Sequence, residues 1–450
     1  MFDLEQNGTT ARREIWAGVT TFMTMSYIIA VNPLILGDAG MPRDGVMMAT
    51  CLAAALGCFL MAFLTNYPFA LAPGMGLNAF FAYSVVVGMG ISWQGALAAV
   101  FISGLLFVVL TLTRAREEIV RAIPLNLKYA IGVGIGFFIA LIGLKNAGII
   151  VHNPGTGSLG LVSGRYFTDP SLQGLMPPGS TPRSVGLAVF GLLVTGGLAA
   201  LKVRGALLWG IGVTTLAGIP LGVVAGSGEG LSVSTFVGMP SGLGETFLAM
   251  DFGEVLDYGV VTVVLTFTFV DLFDTAGTLV GVAGKADMLD ETGNLPRVRG
   301  ALLADSLATV AGAALGTSTT TTYVESAAGV AEGGRTGLTA VTVGSLFLLA
   351  LFFTPLVACV PAVATAPVLV IVGVFMMEPV TRIDFGDFRE AIPAFLTIAM
   401  MPLAFSISEG IAIGILAHTF LRALSGSARR KVGVTLWILS AVFTLRYLIQ

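Results

Sequence analysis

Long apolar runs joined by short polar connections fill most of this chain. A helix needs about 20 apolar residues to cross the hydrocarbon of a bilayer. Runs of that kind lie at roughly 14–36, 46–65, 93–113, 129–148, 185–202, 205–226, 258–281, 300–315, 337–357, 361–378, 391–406 and 408–424. Two further runs, 72–88 and 322–331, are short, and each follows a segment without helical character. The first such segment is NYPFALAPG (Asn66–Gly74); the second is GTSTTTT (Gly316–Thr322). A threonine run favours extended backbone, and YVESAAGV after it can make two helical turns. An extended piece meeting a half-helix inside a membrane leaves unpaired N–H groups, tolerable only where they line a cavity or a ligand. The pattern predicts an all-α polytopic membrane protein of fourteen segments, with half of a binding site at Gly316–Val330.

Composition and charge agree with that reading. Of 450 residues, 55% are hydrophobic and 11% charged, and mean hydropathy is +0.91; soluble domains carry about 25% charged residues. A net charge of −3 excludes a large nucleic-acid footprint. Cys51, Cys58 and Cys359 lie in apolar runs without ligand spacing, so packing is their expected role. No apolar segment with a cleavage site precedes the first span, so no signal peptide is expected. Lys and Arg accumulate on the cytoplasmic side of membrane proteins. With the N-terminus inside, the inner segments collect 18 of the 23 basic residues, among them Arg114, Arg116, Arg121, Lys202, Arg204, Lys285 and Arg429–Lys431. The outer loop Ala225–Asp257 has none, but holds Glu229, Glu245, Asp251, Glu254 and Asp257. Val432–Gln450 is a further apolar run broken by Arg446, expected as an extra helix along the inner surface.

The chain also repeats itself. Pro124 is followed by Gly136 and Phe138 at the same offsets as Gly373 and Phe375 follow Pro361. GVTTFMT opens the first span, GVVTVVL opens the eighth, and spans 3 and 10 are the short ones. Two copies of seven spans are expected, and an odd number inverts the second copy. Inverted repeats with one interrupted helix each place a substrate site near the midplane. Gly136 and Gly373, in matching places, are expected where one domain slides on another.

Charged groups at membrane depth are functional candidates by default. They are Asp271 and Asp274 in FVDLFDTAGTLVG, Asp305 in ALLADSLATV, and Glu325. Their i,i+3 spacing puts Asp271 and Asp274 on one helix face. Two nearby carboxylates in low dielectric resist joint ionisation, so such a pair can carry a proton. Asp305 is expected to brace span 10 internally. Asn78 of APGMGLNAFFAY occupies a place corresponding to Glu325 and offers both a donor and an acceptor. Thr322 and Tyr323 border Glu325, and Phe80, Phe81, Phe267 and Phe269 offer stacking faces. Two half-helix N-termini would aim N–H groups into the same space. A flat heteroaromatic with alternating donors and acceptors fits these groups. His152 and His418 suggest neither a metal ligand nor a proton relay, and no metal is expected. GVGIGFF at Gly132–Phe138 is a packing face, since no βαβ context surrounds it.

APGMGLNAFFAY, FVDLFDTAGTLVG, ALLADSLATVAGAALGTSTTTTYVESAAGVAEGGRTGLTA and PVLVIVG together resemble the nucleobase–cation symporter-2 superfamily, most closely its AzgA-like adenine/guanine/hypoxanthine permease branch. The resemblance runs from about Glu14 to Leu424. It implies a core domain of spans 1–4 and 8–11 (14–113 and 258–357) and a gate domain of spans 5–7 and 12–14 (124–226 and 361–424). It also implies short antiparallel strands before spans 3 and 10. The family's substrate-contacting acid of span 8 falls on Asp271 and its second acid on Asp274. The essential glutamate falls on Glu325, the span 3 asparagine on Asn78, and the span 9 acid on Asp305. The implied protein imports purine nucleobases with protons, without other cofactors, in a bacterial-type inner membrane, and a homodimer is its expected assembly. Two rivals are a same-fold transporter of another cargo and an intramembrane enzyme using Asp271, Asp274 and Glu325 as acid–base groups. The other cargo is uracil or xanthine, whose branches usually carry Glu at the place of Asp271, or an inorganic anion, which these carboxylates would repel.

Overall fold

The computed structural model describes residues 2–113, 124–154, 158–177, 180–223, 237–254, 258–286, 288, 295–424, 433, 436–437, 439–441 and 443–444, with backbone alone at 173, 258–262, 269, 273, 276–277, 280–281, 284–285 and 358. Arg114, Arg116, Arg121, Glu229, Asp257, the Arg429–Lys431 cluster, Arg446, the Lys285 side chain and most of 432–450 therefore lie outside the described residues.

Helices α1 (Ala11–Met25) and α2 (Ile28–Asp38) form one 28-residue apolar stretch interrupted at Ser26–Tyr27. Pro33 sits inside α2. Lacking an N–H, it cannot bond the carbonyl four residues back, which weakens the helix near this interruption. Then come α3 (Arg43–Thr65), strand β1 (Leu71–Pro73), α4 (Met75–Gly88), α5 (Trp93–Leu112) and α6 (Leu125–Asn146). A hairpin of β2 (Ile150–Asn153) and β3 (Ser158–Leu161) leads through two single-turn helices to α7 (Pro182–Ala200) and α8 (Ala206–Gly218). The second half holds α9 (Tyr258–Lys285), α10 (Val298–Leu315), β4 (Thr320–Thr322) and α11 (Ser326–Ala331). It ends with α12 (Gly337–Ala350), α13 (Ala362–Met376), α14 (Phe388–Leu403) and α15 (Ile407–Leu424). Among the described residues, nine helical stretches are long and apolar enough to cross a membrane. This is a multi-pass membrane protein.

Many partners in space come from opposite halves of the chain. Helix α3 packs against α10 and α12, α1 against α11 and α12, and α5 against α10. Elsewhere α6 packs on α13 and α14, α14 on α15, and α7 on α8 and α13. One crossing is fixed by a charge. Glu14, buried in α1, accepts from the N–H groups of Arg335 (2.9 Å) and Thr336 (3.2 Å) and from the Thr339 hydroxyl (2.6 Å). A carboxylate of the first helix thereby satisfies N–H groups at the start of α12 that have no intrahelical acceptor.

Two other features place the site. Helix α10 stops at Gly316, whose φ of +98° suits glycine. The N–H groups of Gly316 and Thr317 both return to the Gly312 carbonyl (3.0 and 2.9 Å), so the chain leaves the helix as an extended segment. That segment pairs with the one before α4: β1 and β4 are antiparallel, Leu71 opposite Thr322 and Pro73 opposite Thr320.

The expected sliding contact at Gly136 and Gly373 is not what the structure shows. The two glycines face each other across α6 and α13, and a Cβ on Gly136 would sit 2.7 Å from the Gly373 carbonyl oxygen. They allow close packing of those two helices. The approach between α4 and α6 is instead made at Gly76, where an added Cβ would meet the Ile135 side chain at 2.5 Å. Gly136→Leu and Gly373→Leu are therefore expected to lower expression and thermal stability together, by about 1–3 kcal/mol or more for overpacking. Fluorescence size-exclusion melting curves check this; a variant as stable as the wild type would show that the contact is loose.

Candidate functional site

The extended segments bring polar backbone to the middle of the molecule, and several of its groups find partners there. Gly74 N–H donates to the Thr319 carbonyl (2.9 Å), Tyr323 N–H to the Ala70 carbonyl (2.9 Å), and Ala70 N–H to Ser326 Oγ (2.9 Å). The Leu71 N–H reaches Cys58 Sγ at 3.3 Å, so this cysteine does more than pack. Thr309 Oγ1 donates to the Thr320 carbonyl (3.0 Å), and the Tyr323 hydroxyl donates to the Pro73 carbonyl (2.6 Å). The pair of strands is thus held by α3, α10 and its own side chains, with little freedom to shift.

Beside it lies a cavity of about 610 Å³, within the range that takes a small organic ligand. One wall is made by Tyr27, Gly74–Gly76, Asp274 and Thr321–Glu325; the other by α13 and the α7–α8 connection. Gly74–Gly76 put the first N–H groups of α4 on this wall, where no earlier turn of helix can accept them. The Asp274 carboxylate has no hydrogen-bond or ion-pair partner among the described residues, and it lies within electrostatic reach of Asp305 and Glu325. Among the described residues Glu325 has one side-chain donor: the Tyr27 hydroxyl, which donates to Oε1 at 2.8 Å.

Behind the wall, one hydroxyl joins three elements. Thr275 Oγ1 lies 3.2 Å from Asp271 Oδ1, 3.1 and 3.0 Å from the two Asp305 oxygens, and 2.8 Å from Thr321 Oγ1. Asp271 and Asp305 are both fully buried there. This reverses the expected order of the two aspartates. Three residues turn a helix by about 300°, leaving the side chains about 60° apart and one turn displaced. That offset is enough to turn Asp271 to the α10 seam while Asp274 reaches the cavity. Asp305 does meet the β4 segment, through Thr275.

The remaining candidates divide. Thr322 and Tyr323 line the cavity. Asn78 does not: it is fully buried, its Oδ1 accepts from Ser318 Oγ, and its Nδ2 has no hydrogen-bond partner among the described residues. Phe80 is core rather than a stacking face, edge-on to Phe267 with ring centroids 4.9 Å apart. Phe81 is buried there too. The Phe269 side chain lies outside the described residues. Helix α11 has only six residues, too few for a second N-terminus to act as an anion or dipole site. Two aromatic residues of the wall are not marked as site residues by the sequence pattern. Tyr27 carried no charge to mark it, whereas Phe375, 46% exposed, stood in the repeated Pro–Gly–Phe spacing.

The cavity reaches Lys202, Arg204 and Glu378 at one end, where Arg204 pairs with Glu332 at 2.5 Å. A different set of contacts joins the helices around Tyr83. There Tyr83 donates to Asp38 Oδ2 (2.8 Å), Asn146 Nδ2 donates to the Tyr83 hydroxyl (3.4 Å), and Phe405 packs edge-on against both Tyr83 and Phe138. Among the described residues, no group of three or more His, Cys, Asp or Glu is arranged to hold a metal.

Comparison with known proteins places this architecture. The adenine permease AdeP of Escherichia coli is 43% identical over 429 residues, 95% of this chain and 91% of its own length. The guanine/hypoxanthine permease PbuO of Bacillus subtilis is 44% identical over 454 residues, 100% of this chain and 99% of its own. Among solved structures, the transmembrane domain of the cyanobacterial bicarbonate transporter BicA superposes with a TM-score of 0.62 at 15% identity, covering 90% of this chain and 97% of that one. The murine solute carrier 26 family member A9 anion transporter, in its inward-facing state, gives 0.64 at 11% identity, covering 92% and 68%. These two share the fold alone. The sequence profile described as the Permease family matches residues 12–413. The chain is a permease rather than an enzyme, and it belongs to the Permease family, within the nucleobase–cation symporter-2 group that its motifs resemble.

Proposed function

We propose that this permease imports purine nucleobases (adenine, guanine or hypoxanthine) together with protons across a bacterial-type cytoplasmic membrane. The observation that carries the reading is Asp274, a carboxylate with no hydrogen-bond or ion-pair partner among the described residues, sharing a cavity wall with Glu325. A purine presents ring N–H donors and ring-nitrogen or carbonyl acceptors in one plane. Asp274 and Glu325 accept the former, and the N–H groups at the start of α4 donate to the latter. Phe375 offers a ring face for stacking. The purine permeases named among the relatives support the same cargo.

The expected architecture completes the mechanism. Fourteen segments form a 7+7 inverted repeat, with the N-terminus in the cytoplasm and 432–450 as an added helix. Residues 14–113 and 258–357 make the core domain, 124–226 and 361–424 the gate, and the working assembly is a homodimer. Lys202, Arg204 and Glu378 then mark the cytoplasmic mouth, and the Asp38–Tyr83–Asn146 contacts seal the outside. This is an inward-facing form. The base and a proton enter when the outer contacts part, and the gate rocks past the core to this state. Several carboxylates gathered at membrane depth are costly unless protons neutralise some of them, which supports the proton as the coupling ion. Asp271, Asp305 and Asn78 act behind the wall by holding the strand pair and α9. An inorganic anion is the wrong cargo, because Asp274 and Glu325 would repel it.

Uptake of labelled hypoxanthine, guanine or adenine by cells lacking their own permeases is expected, and uptake of bicarbonate or chloride with none of the purines would overturn the reading. Asp274→Asn and Glu325→Gln should each weaken base binding on the order of 100-fold, as expected when a hydrogen bond to a charged group is lost. Asp271→Asn should act mainly on stability; if it abolishes binding in a stably folded protein while Asp274→Asn does not, the two roles have been exchanged. Uptake should rise as external pH falls and collapse with a protonophore. Accumulation that survives the protonophore and follows a sodium gradient would replace the proton with sodium.

A further inference from the structure

The break in the first span has a counterpart in the site. Helix α1 ends at Met25 and α2 begins at Ile28, and the Tyr27 carbonyl accepts from both Ala30 N–H (3.1 Å) and Val31 N–H (3.0 Å). The interruption leaves the Tyr27 side chain almost wholly buried, at 1% exposure, with its hydroxyl 2.8 Å from Glu325 Oε1. The two residues are 298 positions apart in sequence and belong to the same cavity wall. The other groups that face this pair are Tyr323, whose hydroxyl is committed to the Pro73 carbonyl, and Asp274 across the wall.

We propose that Tyr27 is a positioning residue of the substrate site, acting through Glu325 rather than through the base. The proposal rests on the reading of Asp274 and Glu325 as the acceptors of a purine. Glu325 is the residue just before the six-residue α11, and the Tyr27 hydroxyl is the side-chain donor on its Oε1 among the described residues. One strong donor on Oε1 fixes which way the other oxygen points. A phenol also suits a group that gains and loses a proton. Its oxygen donates to a carboxylate and accepts from a carboxylic acid, so Oε1 keeps a partner in both states. A methyl or phenyl group in the same place would leave that oxygen buried and unpaired in each turn of the cycle.

Tyr27→Phe removes the hydroxyl and keeps the ring. The full-length variant and the wild type are compared for hypoxanthine binding in detergent across pH 5–9, for uptake in permease-deficient cells, and for melting temperature. The proposal expects wild-type yield and melting within a few degrees, and hypoxanthine affinity weaker by about tenfold for the loss of one hydrogen bond to a charged group. It also expects the pH profile of binding to be displaced by at least about half a unit, since the hydroxyl interacts differently with the two states of Glu325. Affinity within twofold of wild type would overturn it. So would a weaker affinity with a superimposable pH profile, because the hydroxyl would then be a packing group. Loss of the folded, monodisperse protein would overturn it as well, by making the hydroxyl a fold determinant. Failure of the wild type to bind any purine is a separate result and strikes the proposed cargo, not Tyr27.

Discussion

An extended backbone in the middle of a membrane must find acceptors and donors inside the protein, because lipid offers none. Much of this molecule follows from that constraint. Two short segments meet it by pairing with each other, and the groups at their ends are taken up by Cys58, Ser326, Thr309 and Tyr323. The threonines make this possible, since they favour extended backbone and carry hydroxyls that reach carbonyls and carboxylates. Helix α4 can then begin inside the protein, with its first N–H groups turned to a cavity. A ligand with matching acceptors is the natural partner for them.

The same constraint explains why the carboxylates are graded by depth. Asp271 and Asp305 face Thr275, in a seam where hydroxyls and backbone are close at hand. Asp274 and Glu325 sit on the open wall, where a ligand can complete them. The first pair ties α9 to α10 and β4, and the second faces the cavity.

Much of this was legible from residue order. The apolar run at 93–113 is Trp93–Leu112, and the run at 129–148 overlaps Leu125–Asn146, which starts and ends a few residues earlier. Glu325, Thr322 and Tyr323 were found because polar residues in an apolar stretch are conspicuous. What failed was phase. An i,i+3 pair shares a face only to within about 60°, too coarse to say which aspartate enters a cavity. Phe80 looked like a stacking ring because periodicity does not distinguish a cavity from a core. Gly136 and Gly373 were correctly singled out as a matched pair, yet matching places in two repeats say nothing about which surfaces they share. Tyr27 was missed because the first span reads as continuous; Pro33, six residues on, was the one local hint of a break.

The carboxylate of Glu14 has a consequence for how the protein is made. Its acceptor role is filled by the N–H groups of Arg335 and Thr336 and by the Thr339 hydroxyl, over 320 residues downstream. A chain emerging from the ribosome places its first helix long before those residues exist. During that interval the carboxylate must find its partners in water at the interface. The first helix can settle to its final depth only when the eleventh segment of the expected fourteen arrives. Assembly is therefore late and cooperative, and a polypeptide cut between its two halves would leave each with buried polar groups whose partners sit on the other piece.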